Sequence, residues 1–215
     1  MMFYPNKPKH YNRITWVMGR LNVEPDLFYW QAGTYLDFKD IGKGINRNVR
    51  DVSKSNVDRI FTEVFGYSSF LDPNGTGEAV IKSEINASHS GRIVELPYKL
   101  KEDEVCQRFI DTGLVEYRVL IVMGKPACML QKTKVNTFNS NGCTFDLVKD
   151  VIEADKITLF CGKLGMDYGE LDLLIDEKPY IIDANHCVGG LNKAFLSQPE
   201  RDLEYFAECH RPLFE

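Results

Sequence analysis

The chain has 215 residues, a formal net charge of −5 and six cysteines. That length suits one medium domain or two small lobes with a real core, and the acidic balance removes any general attraction to nucleic acid or anionic membrane, leaving only local basic clusters to hold phosphates. The cysteines (Cys106, Cys128, Cys143, Cys161, Cys187, Cys209) form no C-x-x-C pair, the N-terminus has no apolar signal core and no apolar run approaches a membrane span, so a soluble cytoplasmic protein with reduced thiols and no zinc module is expected.

Residues 1–47 carry the least pattern. "RITWVMGRLN" fits a short helix or a strand, "PDLFYW" fits a buried strand, and structural work is expected of both. From Ser53 the pattern sharpens: Val57, Ile60, Phe61, Val64 and Phe65 recur at helical spacing, with Ser55-x-x-Asp58 as a capping signal and Gly66 as a stop. After the turn "DPNGTG", "EAVIKSE" predicts a strand ending near Lys82; the small polar loop "NASHSGR" and a returning strand around "IVELPY" complete a flap. "EVCQRFI" predicts another strand and "EYRVLIV-MGKP-ACMLQKTK" a hairpin. Leu147, Val148, Val151, Ile152 and Leu159 suggest a helix from about Phe145 to Leu164, closed by Gly165.

The stretch "YGELDLLIDEKPYIIDANHCVGG" then predicts a second hairpin turning at Asp176-Glu177-Lys178-Pro179. A four-residue loop pairs Ile175 with Tyr180, Leu173 with Ile182, Asp172 with Asp183, Leu171 with Ala184 and Glu170 with Asn185. Alternation leaves Leu171, Leu173, Ile175, Tyr180, Ile182 and Ala184 on a face ready for burial, and Glu170, Asp172, Asp183 and Asn185 on the other beyond a Leu174/Ile181 pair. Like charges directly opposed across strands repel. Either the face is solvated and the repulsion tolerated, or a hard cation such as Mg²⁺, which takes one or two carboxylates plus substrate phosphates, compensates it.

Basic residues stand at telling places. Lys82 ends an apolar strand beside a Ser/Gly loop, which suits phosphate binding or a plain strand end. Lys54 precedes a helix, where lysines are usually solvated. Arg118 lies among apolar strand neighbours, as a partner of Glu116 or Glu104 or as a phosphate ligand. Lys132 and Lys134 share a strand face and could complement the acidic hairpin.

These residues together resemble the ATP-grasp superfamily, and within it a poorly characterised bacterial subgroup, over about residues 48–192. The resemblance is carried by "NRNVRDVSKSNVDRIFTEVFGYSSFLDP", "AVIKSEINASHSGRIVELP", "VCQRFID", "EYRVLIVMGKP" and "MDYGELDLLIDEKPYIIDANHCVGG". It implies an α+β fold of two lobes with antiparallel sheets clamping a nucleotide: a reduced N-terminal segment at 1–47, an N-lobe with phosphate flap at 48–110 and a C-lobe with metal hairpin at 111–215. By position Lys54 and Lys82 look like the phosphate lysines, Ser88-His89-Ser90-Gly91 like the flap, and Gln107-Arg108-Phe109-Ile110 like the hinge that takes adenine. Glu116, rather than Asp111, resembles the ribose ligand; Arg118, Lys132 and Lys134 resemble the basic positions facing the terminal phosphate and acyl-phosphate. Asp172, Asp183 and Asn185 match the magnesium set. "HCVGG" replaces the usual Thr-Pro or Ser-Pro, leaving His186 and Cys187 as substrate-facing or filler.

The resemblance implies an ATP- and Mg²⁺-dependent ligase joining a carboxylate to an amine or similar nucleophile through an acyl-phosphate, acting on small-molecule, peptide-linked or sugar-linked substrates. A phosphotransferase or a non-catalytic nucleotide-binding module would share the same site. Homo-oligomerisation stays open. No protein nucleophile is needed, in keeping with four histidines (His10, His89, His186, His210) in unrelated contexts, and "GKG" at 42–44 lacks the context of a P-loop.

Overall fold

The computed structural model describes residues 2–8, 12–24, 26–86, 88, 90–135, 142–189 and 193–215. In chain order its elements are β1 (Met2–Pro5), α1 (Arg13–Leu21), β2 (Leu27–Trp30), α2 (Lys54–Phe65), β3 (Gly77–Ser83), β4 (Arg92–Leu96), β5 (Glu104–Arg108), β6 (Val115–Val122), β7 (Lys125–Thr133), β8 (Thr144–Val148), α3 (Ala154–Leu164), β9 (Tyr168–Ile175), β10 (Pro179–Asn185), α4 (Lys193–Leu196) and α5 (Glu200–Glu208). The architecture is α+β, with two antiparallel sheets ordered β4-β3-β5 and β10-β9-β6-β7-β8, and a small parallel pair β1-β2.

Local sequence explains most elements. In α2 the apolar residues Val57, Ile60, Phe61 and Phe65 form one buried stripe, each stabilising by roughly 1.5–3 kcal/mol relative to exposure. Gly66 ends the helix in the left-handed region at φ 83°. The N-cap lies two residues before the expected signal: Ser53 accepts the Asn56 N–H at 3.3 Å, because Ser53 still holds extended backbone while residue 54 is already helical. Asp58 is released for another task, accepting from Ser68 Oγ at 2.6 Å and from the Ser69 N–H and Oγ, each at 2.7 Å. "RITWVMGRL" is a helix, with Ile14 and Val17 buried. The β6–β7 hairpin turns on Met123 and Gly124, both at positive φ (50° and 72°), as two-residue hairpin loops require.

The helix expected from Phe145 is corrected: residues 144–148 are the edge strand β8, paired with β7, and the helix begins at Ala154. Thr144 and Asp146 are exposed while Phe145 is buried, a period of two that runs without a break into the apolar spacing of the helix behind it. Leu159 is 53% exposed, and the buried stripe is Ile157, Phe160, Cys161 and Leu164.

The five-stranded sheet is buried on both faces. Val119, Ile121, Leu171 and Leu173 pack with α2 and α3, while Leu120, Val122, Leu130 and Tyr168 pack with Phe28, Phe195 and Phe206 from the two ends of the chain. This accounts for the unbroken apolar run in β6.

In the β9–β10 hairpin, Asp172 opposes Asp183, Leu171 opposes Ala184 and Glu170 opposes Asn185, as the spacing predicts. Nearer the turn the register is corrected. The loop has three residues, so Ile175 pairs with Pro179, Leu174 with Tyr180 and Leu173 with Ile181, and an irregularity at Ile182 restores the expected register. Ile181 thereby joins the core beside Ile182, which is also buried there and in addition borders the cleft.

Gly169 permits close approach of β10. A Cβ there would meet the Asn185 carbonyl oxygen at 2.5 Å and Met166 Sδ at 2.8 Å. Gly169→Ala is therefore expected to cost about 1–3 kcal/mol and to push Asn185 from its place; urea denaturation compared with wild type checks it, and unchanged stability would contradict the tight approach.

Candidate functional site

A cleft of about 330 Å³ is bordered by β3, the flap, the β5–β6 connection and one face of β6, β7, β9 and β10. The described members of the expected site all border it: Lys54, Lys82, Ser88, Ser90, Gly91, Gln107 to Ile110, Glu116, Arg118, Lys132, Lys134, Asp172, Asp183 and Asn185. His89 lies outside the described residues. Val80, Leu114, Leu174 and Ile182 supply apolar lining.

Several neighbours were not those expected. Lys54 is not solvated. It is 6% exposed, donates from Nζ to Asn86 Oδ1 at 3.1 Å and lies 4.0 Å from Asp183 Oδ1, because α2 starts against the end of β10. Asn86, which carried no sequence signal beyond its place in a polar loop, anchors the base of the flap. Its N–H donates to Thr34 Oγ1 at 2.8 Å and its Nδ2 to the carbonyls of Val52 and Ala184. Lys82 forms no hydrogen bond or ion pair with the described residues, and burial draws its pKa down to about 8 against the attraction of Asp183.

Glu116 is 4% exposed and holds Lys132 Nζ at 3.1 Å together with Lys134. The two lysines therefore complement Glu116 more closely than the acidic hairpin. Arg118 sits in cross-strand register with Asp172 and lies 3.2 Å from it, 3.7 Å from Glu170 and 3.8 Å from Glu116. Glu104 is engaged elsewhere, with Arg92 at 2.6 Å. Glu170 is paired with Arg13, a residue that sequence spacing could not connect to the hairpin.

At the hinge, the Arg108 N–H donates to the Ser69 carbonyl at 2.7 Å and Gln107 Nε2 to Ser69 Oγ at 3.2 Å. Ser69 is itself tied to Asp58, so α2 braces the segment. The backbone groups of Phe109 and Ile110, just beyond β5, form no hydrogen bonds with the described residues. His186 is buried, with its Nε2 2.7 Å from the Gln31 carbonyl, and burial lowers its pKa. Burial likewise raises the Cys187 thiol to about 12.

Burial raises the Asp172 carboxyl to about 6 despite Arg118, and raises Asp183 despite Lys54 and Lys82. Asp172 Oδ1 and Arg118 Nε are close but make no aligned hydrogen bond. Among the described residues no group of three or more His, Cys, Asp or Glu side chains is placed to hold a metal ion. The hairpin offers two carboxylates and the Asn185 amide. An under-bonded carboxylate oxygen beside a second carboxylate fits Mg²⁺, which needs few protein ligands when phosphates supply the rest.

No family model and no curated protein matches the chain. Among solved structures it is similar to the ATP-grasp ligase PsnB complexed with a minimal precursor, with TM-score 0.48, 14% identity, and coverage of 73% of this chain and 58% of that one. It is similar also to D-alanine–D-alanine ligase from Bacillus anthracis, with TM-score 0.48, 16% identity, and coverage of 75% and 64%. A third is the macrocyclase MdnC bound with precursor peptide MdnA from Microcystis aeruginosa MRC, with TM-score 0.45, 15% identity, and coverage of 72% and 59%. The chain is thus structurally similar to ATP-grasp ligases at low identity, and it spans 58% to 64% of the length of the first and second of these. No helix among the described residues is long and apolar enough to cross a membrane.

Proposed function

We propose that this chain is an ATP-grasp protein, an ATP- and Mg²⁺-dependent ligase that joins a carboxylate to an amine or similar nucleophile through an acyl-phosphate. The observation that carries the reading is one cleft that gathers an opposed Asp172/Asp183 pair, the cations Lys54, Lys82 and Arg118, and unbonded backbone at Phe109–Ile110. Phosphoryl transfer asks a protein mainly for positioning and charge neutralisation, and these groups supply both.

In this reading residues 48–110 form the nucleotide-facing lobe with the flap, residues 111–215 the metal-bearing lobe, and 1–47 a supporting segment of a cytoplasmic protein. The backbone of Phe109 and Ile110 takes the adenine edge. Lys54 and Lys82 hold phosphate oxygens beneath the Ser88–Gly91 flap. Asp172, Asp183 and Asn185 would hold Mg²⁺, which supplies charge neutralisation at the phosphates. Arg118 and Lys132 offset charge on the transferring group, with Lys134 beside them. Glu116 aims the two lysines, and a ribose contact would have to share its carboxylate with them.

The test is product analysis with ATP and Mg²⁺ across amino acids, sugars and peptides. Acceptor-dependent ADP and phosphate release with amide formation supports the ligase. A stable phosphorylated acceptor would make it a phosphotransferase, and Mg·ATP affinity without turnover a binding module.

The pH dependence follows from Asp172. Its folded pKa is raised, so folding favours the neutral acid: the stability this contributes is present below the unfolded value near 3.9 and is lost as pH rises through about 6. A metal ligand must be ionised. Mg²⁺-dependent nucleotide affinity is therefore expected to fall about tenfold per pH unit below about 6 and to level off above it. Calorimetry across pH 5–8 with Mg·ATP checks this; a flat profile would remove Asp172 from the ligand set.

A further inference from the structure

Acid and base alternate along a line that starts at a buried pair outside the cleft and ends at the half-buried Arg118. Arg13, the first residue of α1, contacts Glu170 of β9, and these side chains are 4% and 3% exposed. Neither borders the cleft. Beyond Glu170 stands Arg118, with Asp172 and Glu116 on its other sides. Arg13 is fixed by its surroundings: its N–H donates to the Gly189 carbonyl at 3.3 Å, past the end of β10, and its guanidinium lies 5.3 Å from the centre of the Phe206 ring. Burial lowers its pKa to about 10, which leaves it charged at neutral pH.

The bonding in this line is loose in direction. Arg13 Nε and Arg118 Nε are both buried without an aligned hydrogen bond. No fork-to-fork geometry locks Arg118 to one carboxylate. Its contacts with Asp172, Glu170 and Glu116 span only 3.2 to 3.8 Å, and Coulomb attraction varies as the inverse of distance. Where Arg118 points is then decided by which carboxylates other cations already neutralise. Lys132 and Lys134 serve Glu116. Glu170 has Arg13.

We propose that Arg13 is a positioning residue which, by neutralising Glu170, leaves Arg118 free to meet the terminal phosphate of a nucleotide in the cleft. The proposal rests on the nucleotide reading above and extends it, because it makes α1 part of the working site. Without Arg13, Glu170 is a buried carboxylate whose remaining cation among the described residues is Arg118, and the guanidinium turns away from the cleft.

Calorimetric affinities for Mg·ATP and Mg·ADP test it in wild type, Arg13→Gln, Arg13→Lys, Glu170→Gln and the double variant Arg13→Gln/Glu170→Gln. Arg13→Gln is expected to narrow the ATP-over-ADP preference about tenfold, the scale of one charge-assisted hydrogen bond, with ADP affinity unchanged. Arg13→Lys keeps most of the preference. The double variant restores it, since no carboxylate remains to draw Arg118 back. A folded Arg13→Gln with wild-type preference overturns the proposal, as do ATP and ADP affinities that fall together. Should Arg13→Gln not fold, the double variant, which removes both charges of a buried pair, is compared with Glu170→Gln: equal, wild-type-like preferences support the proposal, and a lower one in the double variant overturns it. Wild-type protein that binds neither nucleotide overturns the nucleotide reading itself, and the proposal with it.

Discussion

Asp183→Ala will lower Mg·ATP affinity by about 100-fold or more, roughly 3 kcal/mol, and will leave the apo protein as stable as wild type at neutral pH or more stable. The two effects have one origin. Asp183 and Asp172 are in direct register across β9 and β10, and burial raises both carboxyls. A raised carboxyl contributes stability below its unfolded pKa and loses it as pH rises through the folded value, so at neutral pH the ionised pair is a cost that, in the proposed reading, a divalent cation would offset. Removing Asp183 takes away one metal ligand and the repulsion together. The gain in stability should vanish below about pH 4, where the unfolded acid is also protonated. Calorimetric titration with Mg·ATP and thermal melts at pH 4 and 7 measure both. A folded variant with unaltered Mg·ATP binding would falsify the metal assignment.

Lys82→Met should weaken ATP about 100-fold and adenosine less than about twofold, the loss expected when a desolvated phosphate loses its charged partner. Among the described residues Lys82 has no ion-pair partner, and its pKa is drawn down to about 8 by burial. For a lysine depressed in this way the cost of the buried charge is present below about pH 8 and disappears as pH passes the unfolded value near 10.4. Lys82→Met should accordingly raise the melting temperature at pH 7 and leave it unchanged near pH 11. In the proposed reading such a residue weakens the resting fold and would gain its partner when a phosphate enters. Equal losses for ATP and adenosine would move Lys82 away from the phosphates.

Much of this site was legible because its chemistry is written in strand register. Alternation along β9 and β10 and the short turn between them placed Asp172 opposite Asp183 even though the loop length was one residue out. The error was absorbed at Ile182, where the strand has room for an irregularity. The stretch from Phe145 misleads for a related reason: Leu147 and Val148 fit a period of two as well as a helical one, and only pairing with Met129 and Leu130 selects the strand. The Ser53 cap differed from Ser55 by the position at which the backbone turns helical, which depends on how residues 51–53 are held.

Charge partners were the least legible part. By its position alone Lys54 reads as a solvated helix-start lysine, and Arg13 as part of a short structural helix or strand. Each meets a partner many positions away, Asn86 and Asp183 in the first case and Glu170 in the second. Sequence by itself determined α2, most of the strands and the acidic pair, because side-chain alternation and helical spacing are local and repeat at fixed periods; the wider set of residues around the cleft came from the family resemblance. The tertiary structure alone decided which cation serves which carboxylate, how Glu116 gathers Lys132 and Lys134, and that α1 reaches the back of the site. Those pairings depend on where separate elements meet in space, and on burial, which turns a nearby opposite charge from a weak surface contact into a requirement.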